Sequence, residues 1–187
     1  MTGKPNPHPL RLRRKHGEGR GLEVSAADGA RLVRAQSLRA GIMASLVVIL
    51  VFCVAWVALT SLTGRVFTWM TVVLGAGVGY AVRRAGRGID WRFPLLAAVA
   101  TFTGAIVSNI VVAASTTAAE FGTDVLDILR AVTSMTWPVF FDERWNIGDT
   151  FFALFGAGLA AFLAPRKLTR QQFYALRRWR DEGDEEM

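Results

Sequence analysis

The chain has 187 residues, 52% of them hydrophobic, a formal net charge of +7 and one cysteine. Cys53 has no second cysteine for an intrachain disulfide and too few partners for a thiolate zinc site. Both histidines, His8 and His16, fall in the N-terminal tail, which excludes imidazole from the apolar part of the chain as haem ligand, proton relay or partner of a serine.

Residues 1–40 read as a basic tail. Positions 1–21 are rich in Pro, Gly, Arg and Lys and bury too little apolar surface to offset ordering, so disorder is expected there. Positions 22–39 mix Leu32, Val33 and Leu38 with Arg31, Arg34 and Arg39, a pattern that suits a short cationic helix lying along headgroups. Charge extends through Arg39 and no small-residue cleavage site follows, which argues against a signal peptide. Arg13-Arg14 stands too far upstream of the first apolar run for a twin-arginine signal.

A membrane domain is expected over 41–165, with charge-poor apolar spans at 42–60, 66–82, 94–115 and 147–164. Roughly 20 apolar residues of helix cross a bilayer's hydrocarbon, and roughly 17 suffice at the short end. The first span carries Trp56 and the second Trp69 and Tyr80, where interfacial aromatics belong. Gly75 and Gly79 lie four apart on one helix face, as do Gly104 and Ser108 in the third span and Ala153 and Ala157 in the fourth, so these are the expected helix-packing positions. Gly75-x-Gly77-x-Gly79 lacks the strand and βαβ context of a dinucleotide fingerprint.

Between the third and fourth spans, residues 117–136 place Phe121, Val125, Ile128, Leu129, Val132 and Met135 opposite Glu120, Thr123, Asp124, Asp127 and Arg130. That pattern predicts an outer amphipathic helix whose charges forbid a fifth crossing. Residues 166–187 are expected to hold a cationic interfacial helix over 168–180 and a disordered acidic end.

The connections alternate. Lys and Arg number nine before the first span, four between the second and third, and six after the fourth, so 19 of the 22 basic residues fall on one side. Cytoplasmic loops are enriched in Lys and Arg, which places both termini in the cytoplasm of a multi-pass plasma-membrane protein. The same bias accounts for the net charge through contact with anionic headgroups, so nucleic acid is not an expected partner. Arg83, Arg84 and Arg87 are the residues assigned to headgroup contact or topology.

Polar candidates are few. Asn109 is the most polar side chain near the hydrocarbon, with an interhelical hydrogen bond as its expected use. Asp149 opens the fourth span, where a carboxylate accepts backbone N–H bonds and complements the helix dipole. Grouped with Asp142, Glu143 and Arg65 it would instead form an outer acidic site.

Gly79, Arg83, Gly86 and Gly88 form a Gly-x-x-x-Arg-x-x-Gly-x-Gly turn, followed by a span with Thr101, Gly104 and Ser108-Asn109 and a last span opened by Asp149-Thr150-Phe151-Phe152. Over roughly 75–164 this resembles a family of uncharacterised bacterial four-span membrane proteins. Ser108-Asn109 stands where that family has Gly-Asn, and the Cys-rich zinc ribbon of some relatives is missing. The resemblance implies a membrane address and brings no activity with it.

The expected fold is therefore all-α, with four transmembrane helices and an outer amphipathic helix. The expected function is that of a scaffold or accessory subunit without a catalytic site or cofactor, associating with itself or another membrane protein. Two alternatives stand beside it: a small channel or facilitator lined by Asn109 and the outer acidic residues, and an enzyme acting on lipid headgroups.

Overall fold

The computed structural model describes residues 25–134 and 145–185. These residues form seven helices and no strand: α1 Ala26–Arg34, α2 Leu38–Thr63, α3 Met70–Gly86, α4 Arg92–Phe121, α5 Val125–Ser134, α6 Ile147–Leu163 and α7 Arg170–Glu185. The described residues divide into two units, a larger one within 31–168 and a smaller one formed by 25–30 with 169–185. The expected disorder of 1–21 and the aromatic and acidic stretch 137–144 lie outside the described residues.

In the larger unit α2, α3, α6 and α4 form a four-helix arrangement in that order around the bundle, with α2 and α6 at opposite corners, and α5 packs on α4. α2 and α4 run one way and α3 and α6 the other, so both parallel and antiparallel neighbours occur. The parallel pairs are registered by four-residue steps. On α3, a Cβ at Gly75 would strike the Gly156 carbonyl of α6, and one at Gly79 would stand 2.8 Å from the Ala160 carbonyl oxygen. Between α2 and α4, Ile49 fills the space left by Gly104, where a Cβ would meet its Cγ1 at 2.9 Å. Small residues spaced by four let helix backbones approach and gain dispersion contacts along their length.

The core mixes large and small side chains, and Phe52, Leu74, Val78, Val82, Phe93 and Val112 are buried in it. Gly75, Gly79, Gly104, Ala97, Ala105, Ala153 and Ala160 are buried, together with Ser45, Thr71, Thr101 and Ser108. Met43, Val47, Leu50, Val51 and Val54 of α2 and Phe151, Leu154, Phe155 and Phe162 of α6 are exposed. α2 and α4 are long and apolar enough to cross a membrane, and α6 is a shorter apolar helix. The largest buried side chain, Trp56, packs edge-on against Phe52 at 5.5 Å between ring centroids. Its Nε1 and the hydroxyls of Thr60 and Thr101 have no hydrogen-bond partner among the described residues, whereas Ser45 Oγ donates to the Ile42 carbonyl at 2.8 Å.

Helix limits depart from the expected segments in two places. α3 spans 70–86, not 66–82, because a hydropathy reading stops at the first charge while the backbone does not. Arg83 and Arg84 sit in its last turn, where cations complement the helix dipole. The amphipathic segment expected over 117–136 is divided: α4 continues to Phe121, Gly122 ends it in the left-handed region at φ 62°, and α5 begins at Val125. The Asp124 carbonyl accepts from Asp127 N and Ile128 N, which starts the new helix. At about 45 Å, the 30-residue α4 exceeds a hydrocarbon core of about 30 Å.

In the smaller unit the start of α1, residues 26–30, packs on α7. Gly29 lies against the Ala175 carbonyl and Trp179 Cβ, and Ala175 and Leu176 are buried. Thr169 and Gln172 cap the start of α7 reciprocally, Thr169 N donating to Gln172 Oε1 at 3.1 Å and Gln172 N to Thr169 Oγ1 at 3.4 Å. α7 runs to Glu185, so the acidic end expected to be disordered continues the helix, with Arg178 and Glu182 paired one turn apart at 4.0 Å.

Candidate functional site

The end of the larger unit that carries Arg83, Arg84 and Arg87 is built from three chain reversals bonded to one another. α3 ends at Gly86, and Arg87 follows in the left-handed region at φ 50°, ψ 29°. Arg87 is the one non-glycine residue with positive φ among those described. Such a conformation costs a residue with a Cβ about 1–2 kcal/mol, so the surrounding structure holds it in place. Gly88 lies directly under the Phe93 ring, leaving no room for a side chain, and Phe93 is buried. The turn is then tied on both flanks. Ser37 N donates to the Gly86 carbonyl at 3.0 Å and Ile89 N to Gln36 Oε1 at 3.2 Å, while Arg166 N donates to the Gly88 carbonyl at 3.0 Å.

The last of these bonds sets the position of two further cations. It brings Arg166 and Lys167, which follow α6, beside the arginines that end α3. With Tyr80 these five cations line an open cavity of about 480 Å³. Arg83 and Arg166 are half-buried, and Arg84, Arg87 and Lys167 are exposed. Among the described residues none of the five forms an ion pair with a carboxylate. Like charges gathered beside low-dielectric protein focus a positive field that attracts anions. Guanidinium groups add a planar fork of donors matched to carboxylate and phosphate oxygens.

The other sequence candidates have local uses. Asn109 Nδ2 donates to the Ala105 carbonyl of its own helix at 3.0 Å, so its bond runs within α4 instead of between helices as expected. Asp149 is buried and forms a capping box: Asn146 N donates to Asp149 Oδ2 at 3.1 Å and Asp149 N to Asn146 Oδ1 at 3.0 Å. Asp142 and Glu143 lie outside the described residues, and Arg65 is exposed on the α2–α3 turn. Gly75, Gly79, Gly104, Ser108, Ala153 and Ala157 are all buried within the bundle.

No known family, curated protein or solved structure matches the chain.

The capping geometry of Asp149 yields a discriminating expectation. Asp149→Asn keeps an oxygen for the Asn146 N–H and should leave the thermal midpoint in detergent nearly unchanged. Asp149→Ala should lower stability by about 1 kcal/mol, the usual cost of a lost cap. A large loss in the Asn variant would show that the negative charge itself is required.

Arg166 and Lys167 belong to no motif in the sequence. Their signal is positional: Pro165-Arg166-Lys167 ends the fourth span on the same side as the arginine turn. The pairing of Gly156 and Ala160 with Gly75 and Gly79 had a clearer signal in the matching four-residue spacing, although Ala153 and Ala157 offered an equally regular stripe.

Proposed function

We propose that the chain is a four-span protein of a bacterial plasma membrane with both ends in the cytoplasm, serving as a non-catalytic scaffold or accessory subunit. The observation that carries this reading is the apolar exterior of α2 and α6. Large apolar side chains on α2 and α6 face outward, and helix contacts run through small residues, Gly75 and Gly79 against Gly156 and Ala160 and Gly104 under Ile49, an arrangement suited to hydrocarbon as solvent. α6, an apolar helix of 17 residues, is about 26 Å long, near the short limit for a crossing, and α3 has the same length but ends on Arg83 and Arg84.

Gly75, Gly79 and Gly104 are used inside the bundle, so association with other membrane components falls to the outward apolar face of α2, around Val47, Leu50, Val51 and Val54. The channel reading has less support, because Asn109 and Asp149 are engaged in bonds within their own helices. Affinity purification in mild detergent tests the proposal. The expected result is a self-associated species or a co-purifying membrane protein, with recovery from the membrane fraction after carbonate washing. A solitary monomer, or release into the aqueous fraction, would contradict it.

A further inference from the structure

We infer that the cavity formed by Tyr80, Arg83, Arg84, Arg87, Arg166 and Lys167 is a binding site for a phosphate-bearing anion. The inference rests on the membrane reading above and deepens it by naming the ligand chemistry of the basic end. Three observations converge.

The first is charge without compensation. Five cations from two separate turns line one cavity, with no carboxylate among the lining residues and no ion pair to any described residue. A topology signal needs basic residues on one side of the membrane and nothing more, so it gives no reason for Arg166 and Lys167 to meet Arg83 and Arg87 in one concavity. The second is strain placed at the same spot. Arg87 occupies a left-handed conformation that glycine would adopt freely, although glycines flank it on both sides. Sparsely populated backbone conformations persist where surrounding structure enforces them, and they cluster at ligand clamps. The third is the backbone bond from Arg166 N to the Gly88 carbonyl, which fixes the two cationic turns relative to each other before any ligand arrives. Preorganisation of this kind removes ordering cost from binding.

The cavity volume of about 480 Å³ falls in the range of small-ligand sites. Arginine forks take two phosphate oxygens at once, and the Tyr80 hydroxyl adds a neutral donor. Both a phosphodiester headgroup of the cytoplasmic leaflet and a soluble phosphate compound carry this chemistry. A carboxylate ligand would leave most of the donors unused.

The test uses the full-length protein in detergent, with thermal midpoint and native mass spectrometry as readouts. Phosphatidylglycerol, phosphatidylcholine and sodium pyrophosphate serve as probes. A ligand that binds the folded state alone raises the midpoint in proportion to the logarithm of its concentration over Kd. The double variant Arg83→Gln, Arg166→Gln is expected to weaken the effective anionic probe about tenfold or more, as loss of two charge-assisted bonds requires. A matched double variant, Arg65→Gln with Arg130→Gln, removes the same charge from exposed positions of the same unit that do not line the cavity and should leave binding near the parent value.

Stabilisation by phosphatidylglycerol over phosphatidylcholine, lost in the cavity variant alone, supports the site with a lipid source. Stabilisation by pyrophosphate alone, lost in the same way, supports it with a soluble source. Equal weakening in both double variants, or no response to either anion by a protein that elutes as folded, overturns the inference. Carbonate fractionation of the same cells separates the two levels: a membrane-retained protein that ignores both anions refutes the site only, whereas release into the aqueous fraction refutes the membrane reading.

Discussion

Gly75→Leu is expected to abolish the folded bundle or leave a species with a sharply lowered thermal midpoint. A leucine there has no direction to retreat, because the obstacle to its Cβ is the Gly156 backbone and not the end of a flexible side chain. Inserting bulk into a packed core typically costs 1–3 kcal/mol and occasionally more. With both α3 and α6 having to shift along their length, about 3 kcal/mol or more is the expected loss. The control lies on the same helix as the obstacle. Gly158 of α6 is exposed and a Cβ there meets nothing within 4 Å, so Gly158→Leu should cost little beyond noise. Monodispersity on a sizing column and the thermal midpoint of the two variants, measured side by side, check this. Equal behaviour would mean that α3 and α6 do not pack through these glycines.

Phe93→Ala should produce the second large effect, and one that joins fold to site. The ring is buried and stands on Gly86 and Gly88 at the basic end. Truncating a buried phenylalanine costs about 3–5 kcal/mol, through lost contacts and the cavity left behind. The loss falls where it also frees the Gly88 turn, so any anion-dependent rise in midpoint should shrink together with basal stability. Trp91→Ala offers the comparison, since Trp91 belongs to the same turn and is 71% exposed. Comparable melting of the two variants would show that the turn is not held by the Phe93 ring.

Much of the architecture can be traced to local features of the chain. The Asn146–Asp149 capping box is visible as a carboxylate placed three residues after a good N-cap residue. The glycine spacing on α3 marks a packing face whatever its partner. What local patterns do not carry is which segments meet. Gly156 and Ala160 compete with Ala153 and Ala157 as candidate faces, and only the register of α3 on α6 selects between them. The same holds for the basic cavity. Arg83, Arg84 and Arg87 are legible as a cluster, but the addition of Arg166 and Lys167 depends on a single backbone bond to Gly88 between turns distant in sequence. The break at Gly122 was masked by apolar positions whose helical period continues across it; a left-handed glycine interrupts the backbone without disturbing the pattern. Arg83 and Arg84 show the converse, being charged yet fully helical.

Site-directed labelling with a membrane-impermeant maleimide tests the central claim most directly, namely that an apolar exterior sits in lipid with the arginine end on the cytoplasmic face. In a Cys53→Ser background, Arg84→Cys reports the basic end and Thr63→Cys the opposite end, both at exposed positions. In intact spheroplasts the account predicts labelling at position 63 and protection at position 84, with position 84 becoming reactive only after the membrane is opened. Labelling of both positions from outside, or of position 84 alone, would contradict it.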